Sequence, residues 1–105
     1  LFRSGVVFLS GDRHYTELTR LERPGSYPLH DLTCSPLTAG AFNGGPDAGR
    51  PDRVPGTMVN QRNFCSFAME GPRSQRVITL KSFDAQGKEL WAHRLPVQSL
   101  RTPPP

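Results

Sequence analysis

Residues 5–17 read Gly-Val-Val-Phe-Leu-Ser-Gly-Asp-Arg-His-Tyr-Thr-Glu. This stretch combines an apolar segment with a polar turn, and it is the part of the chain that says most about the fold. The unbroken apolar run 6–9, of β-branched and bulky residues, is typical of a strand that is covered on both faces. Ser10 and Gly11 then allow a sharp turn. We therefore expect a buried strand, inside a larger protein, that ends in a turn carrying Asp12 and His14.

Asp12 and His14, with Arg13 between them, support two interpretations. In the first they are turn residues, with the carboxylate accepting backbone N–H groups and the imidazole half-buried beside Tyr15. In the second they are ligands of a hard metal ion, because carboxylate oxygen and imidazole nitrogen suit a divalent or trivalent ion that polarises a phosphoryl group or activates water. One Asp and one His do not complete such a site, so the other ligands would come from elsewhere.

The length and charge of the chain limit its domain count and its classes of partner. The chain has 105 residues, enough for one small domain, and 13 basic against 9 acidic residues give a net charge of +4. The charge is spread evenly and the aromatic residues do not interleave with a cationic stripe, which argues against a nucleic-acid-binding role. No apolar run is long enough for a membrane span. Because the chain enters a buried strand almost at once, we interpret it as a fragment that needs a missing N-terminal part.

A hairpin is predicted next. Residues 16–22 fit either a short helix or a strand, and Pro24-Gly25 is typical of a type II turn, which favours the strand. The return strand would be 27–34. His30 lies on it, and we interpret this residue as an ordinary hydrogen-bonded surface histidine rather than a ligand.

A long loop is predicted at 39–57, because its density of Gly and Pro disfavours helices and ladder pairing. Such a loop either borders the active-site mouth or is a simple insertion. Arg50 and Arg53 are its cations. Either could contact a substrate phosphate, although a solvated loop charge is the more common role.

From Arg62 onward the hydrophobic pattern has a period of two. Segments 64–69, 75–83 and 89–95 are separated by turn residues around Gly71 and Gly87, which predicts an antiparallel three-stranded meander. The face carrying Ile78 should contact the core. His93 is interpreted as a core or edge histidine, and the tail 101–105 as frayed.

The two cysteines, Cys34 and Cys65, are far apart in sequence and have no Cys-x-x-Cys spacing. That spacing supports neither a zinc knuckle nor a dense disulfide framework. We therefore expect free thiols that act as small buried hydrophobic groups.

Several segments resemble, in order, the C-terminal part of alkaline phosphatase D-type (PhoD-like) phosphatases of the calcineurin-like metallophosphoesterase superfamily. The last metal motif of that superfamily is Gly-His-x-His after a buried strand, and its Asp-x-His variant matches Asp12 and His14. Cys34 and Cys65 depart from the family pattern, which has Ser and Gly there. The matching segments are 7–18, 27–29, 31–33, 35–38, 54–57 and 62–64.

The resemblance implies a fold, an activity and a site. The fold would be a mainly β fragment of an α/β metallophosphoesterase sandwich, with residues 1–105 forming the C-terminal portion of the domain. His14 would bind one ion of a dinuclear centre (Fe, Ca, Mn or Zn), and Asp12 the second ion or its water, for hydrolysis of a phosphoester. Arg13 and Asn63 would contact substrate or orient a ligand; an Asn63 that caps a turn is the alternative. The superfamily's other ligands are absent here, so this chain alone should be inactive. A periplasmic or secreted location is implied by the same resemblance.

A second hypothesis comes from a different class of protein. The chain could be a non-catalytic, β-rich binding or interaction module in which Asp12 and His14 are only turn residues. Metal motifs encoded upstream would favour the enzyme, and their absence would favour the module.

Overall fold

The computed structural model describes residues 5–11, 15–35 and 51–101, with the backbone alone at Ser74. These residues form two three-stranded sheets and very little helix, so the prediction of a mainly β chain is confirmed. Two short 3-10 helices, Arg73–Gln75 and Val97–Leu100, lie in the described part of the chain. The strands are β1 (Val7–Ser10), β2 (Glu17–Leu21), β3 (Leu29–Thr33), β4 (Asn63–Glu70), β5 (Val77–Asp84) and β6 (Glu89–Pro96).

The predicted hairpin is present. Strands β2 and β3 pair antiparallel, with Leu18 opposite Leu32. The turn between them contains Gly25 at φ 72°, a conformation that glycine adopts without the steric cost of a Cβ. Strand β1 lies on the other side of β3 and pairs with it in parallel, so the first sheet has the order β1-β3-β2.

The predicted meander is also present. Strands β4, β5 and β6 pair antiparallel in sequence order to form the second sheet. Gly71 follows β4 at φ 100°, and a Cβ there would lie 2.9 Å from the carbonyl oxygen of Gln75. The chain therefore requires glycine at this turn, for its backbone angle and for space.

Both sheets contribute to one hydrophobic core. Leu18 and Leu32 from the first sheet form a buried cluster with Ile78 and Leu80 from β5. Leu100, in the 3-10 helix after β6, is also fully buried, and its carbonyl oxygen accepts the N–H of Gly5 at 2.8 Å. The prediction that the Ile78 face of the meander contacts the core is confirmed.

Strand β1, which is predicted to be covered on both faces inside a larger protein, is not covered on both faces by the described residues. Phe8 is 46% exposed and Leu9 is 65% exposed. Strand β1 is an edge strand of its sheet, and in the described residues only β3 pairs with it. An apolar run indicates that both faces of a strand are suitable for burial. The layers that cover these faces are formed by other parts of a protein.

The predicted loop 39–57 is only partly described, since residues 39–50 lie outside the described ranges together with Arg50. Arg53 forms a bridge with Thr19, and the N–H of Val54 donates to the carbonyl oxygen of Leu18 at 2.8 Å. This contact is an isolated bridge and not a continuous ladder, so the prediction that Gly and Pro disfavour regular pairing is confirmed for residues 51–57.

The prediction of free thiols is wrong. Cys34 and Cys65 form a disulfide, with their Cα atoms 6.4 Å apart. Cys34 directly follows β3 and Cys65 lies in β4, so the bridge links the two sheets. The packing of the sheets brings the two cysteines within the range that a disulfide requires, although 31 positions separate them in sequence.

No helix in the described ranges is sufficiently long and apolar to cross a membrane.

Candidate functional site

Asp12, Arg13 and His14 lie outside the described residues, but the residues on either side define where this segment joins the fold. Gly11 directly follows β1, and Tyr15 precedes the bridge residue Thr16 at the start of β2. Because β1 and β3 are parallel, their carboxyl ends lie side by side. Loops at such ends are the usual location of binding sites in open sheets.

The first stem of the segment, at Ser10, is bound to β3 and to the residue after it. The carbonyl oxygen of Ser10 accepts the N–H of Cys34 at 2.9 Å. The Ser10 hydroxyl donates to the Asp31 carboxylate at 2.8 Å and lies 2.9 Å from the Thr33 hydroxyl. These contacts fix the end of β1 in both backbone and side chain.

The second stem, at Tyr15 and Thr16, is buried. Tyr15 is 3% exposed and Thr16 is fully buried. Thr16 exchanges two backbone hydrogen bonds with Val59, each 2.8 Å long. The Thr16 hydroxyl accepts the N–H of Ser35 at 3.0 Å. The second stem is therefore held by two segments that are distant in sequence.

Asn63, at the start of β4, connects the second stem to the second sheet. Its side-chain oxygen accepts the hydroxyl of Thr16 at 2.7 Å and that of Ser82 at 3.3 Å. Its side-chain nitrogen donates to the carbonyl oxygens of Ser35, at 3.2 Å, and Gln61, at 2.7 Å. An amide offers two donors and two acceptor positions, and all four are used inside the protein. The Asn63 amide therefore links the second stem to residues of the second sheet.

The disulfide lies beside this network. Cys34 is adjacent to Ser35, and Cys65 is two residues after Asn63. The bridge also borders an apolar cavity of about 190 Å³ that includes Ser10 and Phe67. Covalent and hydrogen-bonded links between the sheets are thus concentrated around the two stems.

Glu17 and Arg53 form a buried ion pair next to the second stem. Arg53 Nε donates to Glu17 Oε1 at 2.7 Å, and the two side chains are only 9% and 1% exposed. The interpretation of Arg53 as a solvated loop charge is therefore wrong. The pair fastens residues 51–57 to β2 and uses this guanidinium internally.

His30 also differs from its prediction. It is 1% exposed, and neither ring nitrogen has a hydrogen-bond partner in the part of the chain that the structure describes, so it is not a hydrogen-bonded surface histidine. The reason is that position 30 is on the core-facing side of β3, like its neighbour Leu32 two residues later. His93 is half-buried on β6, as the sequence indicates.

No group of three or more His, Cys, Asp or Glu side chains in the described ranges could hold a metal ion. Of the predicted site, the structure places Asn63 in contact with Thr16, a residue of the segment that flanks the predicted ligands.

Sequence reasoning did not find the other members of this network. Thr16 and Ser35 lie in segments that resemble the family pattern, but the resemblance implies no role for them. The ion pair joins residues separated by 36 positions. No periodicity or spacing signals such a pair. A buried acidic residue in a strand, such as Glu17, becomes informative only when its partner is known.

Searches of protein-family models, of curated protein sequences and of solved structures found no significant match to this chain.

Proposed function

We propose that this chain is the C-terminal part of a metal-dependent phosphoesterase, related to the PhoD-like phosphatases, in which the turn 12–14 supplies ligands to a dinuclear metal centre. The observation that carries the proposal is the placement of the stems. They lie at the adjoining carboxyl ends of the parallel strands β1 and β3, the position at which open sheets collect reacting groups. The motif and the resemblance described above supply the chemistry.

The donor set of the turn is compatible with this function. A carboxylate at Asp12 and an imidazole at His14 suit Fe, Ca, Mn or Zn better than soft-ligand ions. Two ions bound in such a site would polarise the phosphoryl group and lower the pKa of an attacking water. The role of the chain is to hold these donors in a fixed place, and Arg13 is available to contact the anionic substrate.

The surface of β1 supports a larger parent protein. Phe8 lies on the outer face of the strand and Leu9 on the core-facing side, because Leu9 is paired with buried Leu32. Both are exposed, and parallel strands are rarely left uncovered on either face. We propose that a preceding part of the same polypeptide covers them and supplies the remaining metal ligands. The disulfide supports an oxidising compartment such as the periplasm or the cell exterior.

We expect this chain on its own to hydrolyse no phosphoester above background, because metal catalysis of this type needs ligands from several strands. The longer polypeptide should hydrolyse a chromogenic phosphodiester, lose that activity with a chelator and regain it with added metal. The measurement is turnover of both samples in the presence of each candidate ion. Metal-dependent turnover by the 105 residues alone, or none by the longer polypeptide, contradicts the proposal.

Asn63 is proposed to orient the turn, since it binds the stem residue Thr16. Asn63→Leu in the longer polypeptide should lower metal affinity by about 10–100-fold, the range known for groups that position metal ligands. It should also lower the free energy of unfolding by about 1–3 kcal/mol, because buried partners lose their hydrogen bonds. Metal titration and thermal melts measure the two effects, with the exposed Asn60→Leu as control. Lower stability with unchanged metal affinity would mean that Asn63 is structural only.

One feature favours the alternative, a β-rich binding module. The outer face of the second sheet has an open groove of about 440 Å³ with mixed charge, including Lys81, Glu89 and Arg94. A module that binds through this groove would be insensitive to substitution of Asp12 or His14. The variants described in the Discussion therefore separate the two functions.

A further inference from the structure

Two histidines from opposite sheets meet in the interior. His30 lies on β3 and His93 on β6, with ring centroids 6.3 Å apart and the ring planes tilted by 40°. His93 is paired with buried Leu80 in the ladder between β5 and β6, which puts it on the core-facing side of the second sheet. This pair therefore spans the gap between the sheets.

His30 can be accommodated here only as a neutral ring. It is 1% exposed, and among the described residues neither Nδ1 nor Nε2 has a hydrogen-bond partner. Burying a neutral imidazole without partners carries a free-energy cost, because the ring loses its hydrogen bonds to water. An imidazolium in the same place would carry an unpaired buried charge, which costs far more.

Charged groups of both signs lie around the pair, and the net effect of burial and of these groups disfavours protonation of His30. Arg20 is directly opposite His30 in the β2–β3 ladder, and its exposed partner Glu22 binds it at 2.8 Å. Asp52 and Arg53 line a cavity of about 300 Å³ beside His93. Burial, followed by Arg20 and His93, lowers the pKa of His30 to about 4, while Glu22 opposes this shift. Burial and then Arg20 lower the pKa of His93.

We propose that His30 and His93 form an acid-sensitive latch between the two sheets, closed while both rings are neutral and opened when His30 takes up a proton. The Cys34–Cys65 bridge holds the sheets together just beyond the other end of β3. Opening is therefore confined to the histidine corner and does not separate the sheets completely. This inference does not depend on the proposed phosphoesterase function.

The direction of the pH effect follows from proton linkage. In the closed state the pKa of His30 is about 4, and in an opened state it returns towards the ordinary value of 6.5. The opened state therefore binds more protons between these two values, and it gains population as the pH falls through this window. Between pH 7 and pH 5 the opening equilibrium should shift by about 20-fold.

Native-state hydrogen exchange measures this opening residue by residue. We expect the protection factors of amides in β3 and β6, corrected for intrinsic exchange, to be about 20-fold lower at pH 5 than at pH 7. His30→Leu should abolish this difference, because the buried titratable group is removed. His14→Gln, which alters the third histidine of the chain, should retain it.

Three results would overturn the latch. They are equal protection at the two pH values in the unsubstituted chain, an undiminished pH effect in His30→Leu, and loss of the effect in His14→Gln. If His30→Leu does not fold, His93→Leu provides the test, since removing the neighbouring ring should make the pH effect smaller. A pH effect of unchanged size in His93→Leu would count against the proposal.

Discussion

His14→Ala in the longer polypeptide is expected to lower turnover of a phosphodiester by more than about 100-fold, beyond the loss known for groups that only position a metal ligand. The substitution removes a neutral nitrogen donor and leaves a coordination position that water fills weakly. The fold should survive, because the stems at Ser10 and Thr16 are held by contacts that do not involve this side chain. Steady-state kinetics and circular dichroism measure the two outcomes.

His93→Ala is the matched control for this experiment. It removes an imidazole of the same chemistry from β6, where His93 faces His30 near the amino end of β3 rather than the carboxyl end. Turnover and metal content should not change at neutral pH. Full activity in His14→Ala, with lower thermal stability alone, would assign this histidine to a structural turn.

Arg53→Met is expected to give a large loss of stability. It leaves the Glu17 carboxylate buried without its cation, and breaking a buried ion pair from one side costs about 3–5 kcal/mol. Chemical denaturation of the 105-residue chain measures this change. The loss should exceed the effect of most substitutions on a small domain.

Lys81→Met is the control for that measurement. Lys81 and Glu89 also form an ion pair, at 3.2 Å, but both side chains are well exposed to solvent. Exposed pairs contribute about 0–1 kcal/mol, so this variant should be nearly as stable as the unsubstituted chain. Equal losses in the two variants would contradict the argument that burial makes the Glu17–Arg53 pair important.

The strands and turns that depend on local sequence were predictable. The period-two pattern after Arg62 and the glycines at 71 and 87 identify the meander, because side-chain alternation and positive φ angles are properties of short segments. Pro24-Gly25 identifies the hairpin for the same reason. The predicted ligands Asp12 and His14 lie outside the described residues. Of the candidate site, the structure therefore describes only the stems and Asn63.

The features that were missed depend on how distant segments pack. Cys34 and Cys65 pair because β4 packs next to the end of β3, and no spacing rule contains that information. Glu17 and Arg53 are a similar case. For His30 the strand was predicted correctly but the buried face was not. Successive residues of a strand point to opposite faces of the sheet, so knowing the strand does not identify which residues are buried.

The apolar run in β1 illustrates another limit. Its composition indicates that both faces of the strand suit burial, yet it does not identify the layers that cover them. In the described structure Phe8 and Leu9 are exposed for that reason. Under our proposal, the same residues become buried in the longer polypeptide.

Elemental analysis of the purified longer polypeptide tests the central claim most directly, because it counts bound metal ions per chain without requiring a known substrate. The account predicts two ions in the unsubstituted protein and fewer in Asp12→Asn/His14→Ala, with the circular dichroism spectrum unchanged. The same metal content in both proteins, or no metal in either, would contradict the assignment of these two residues as ligands of a dinuclear centre.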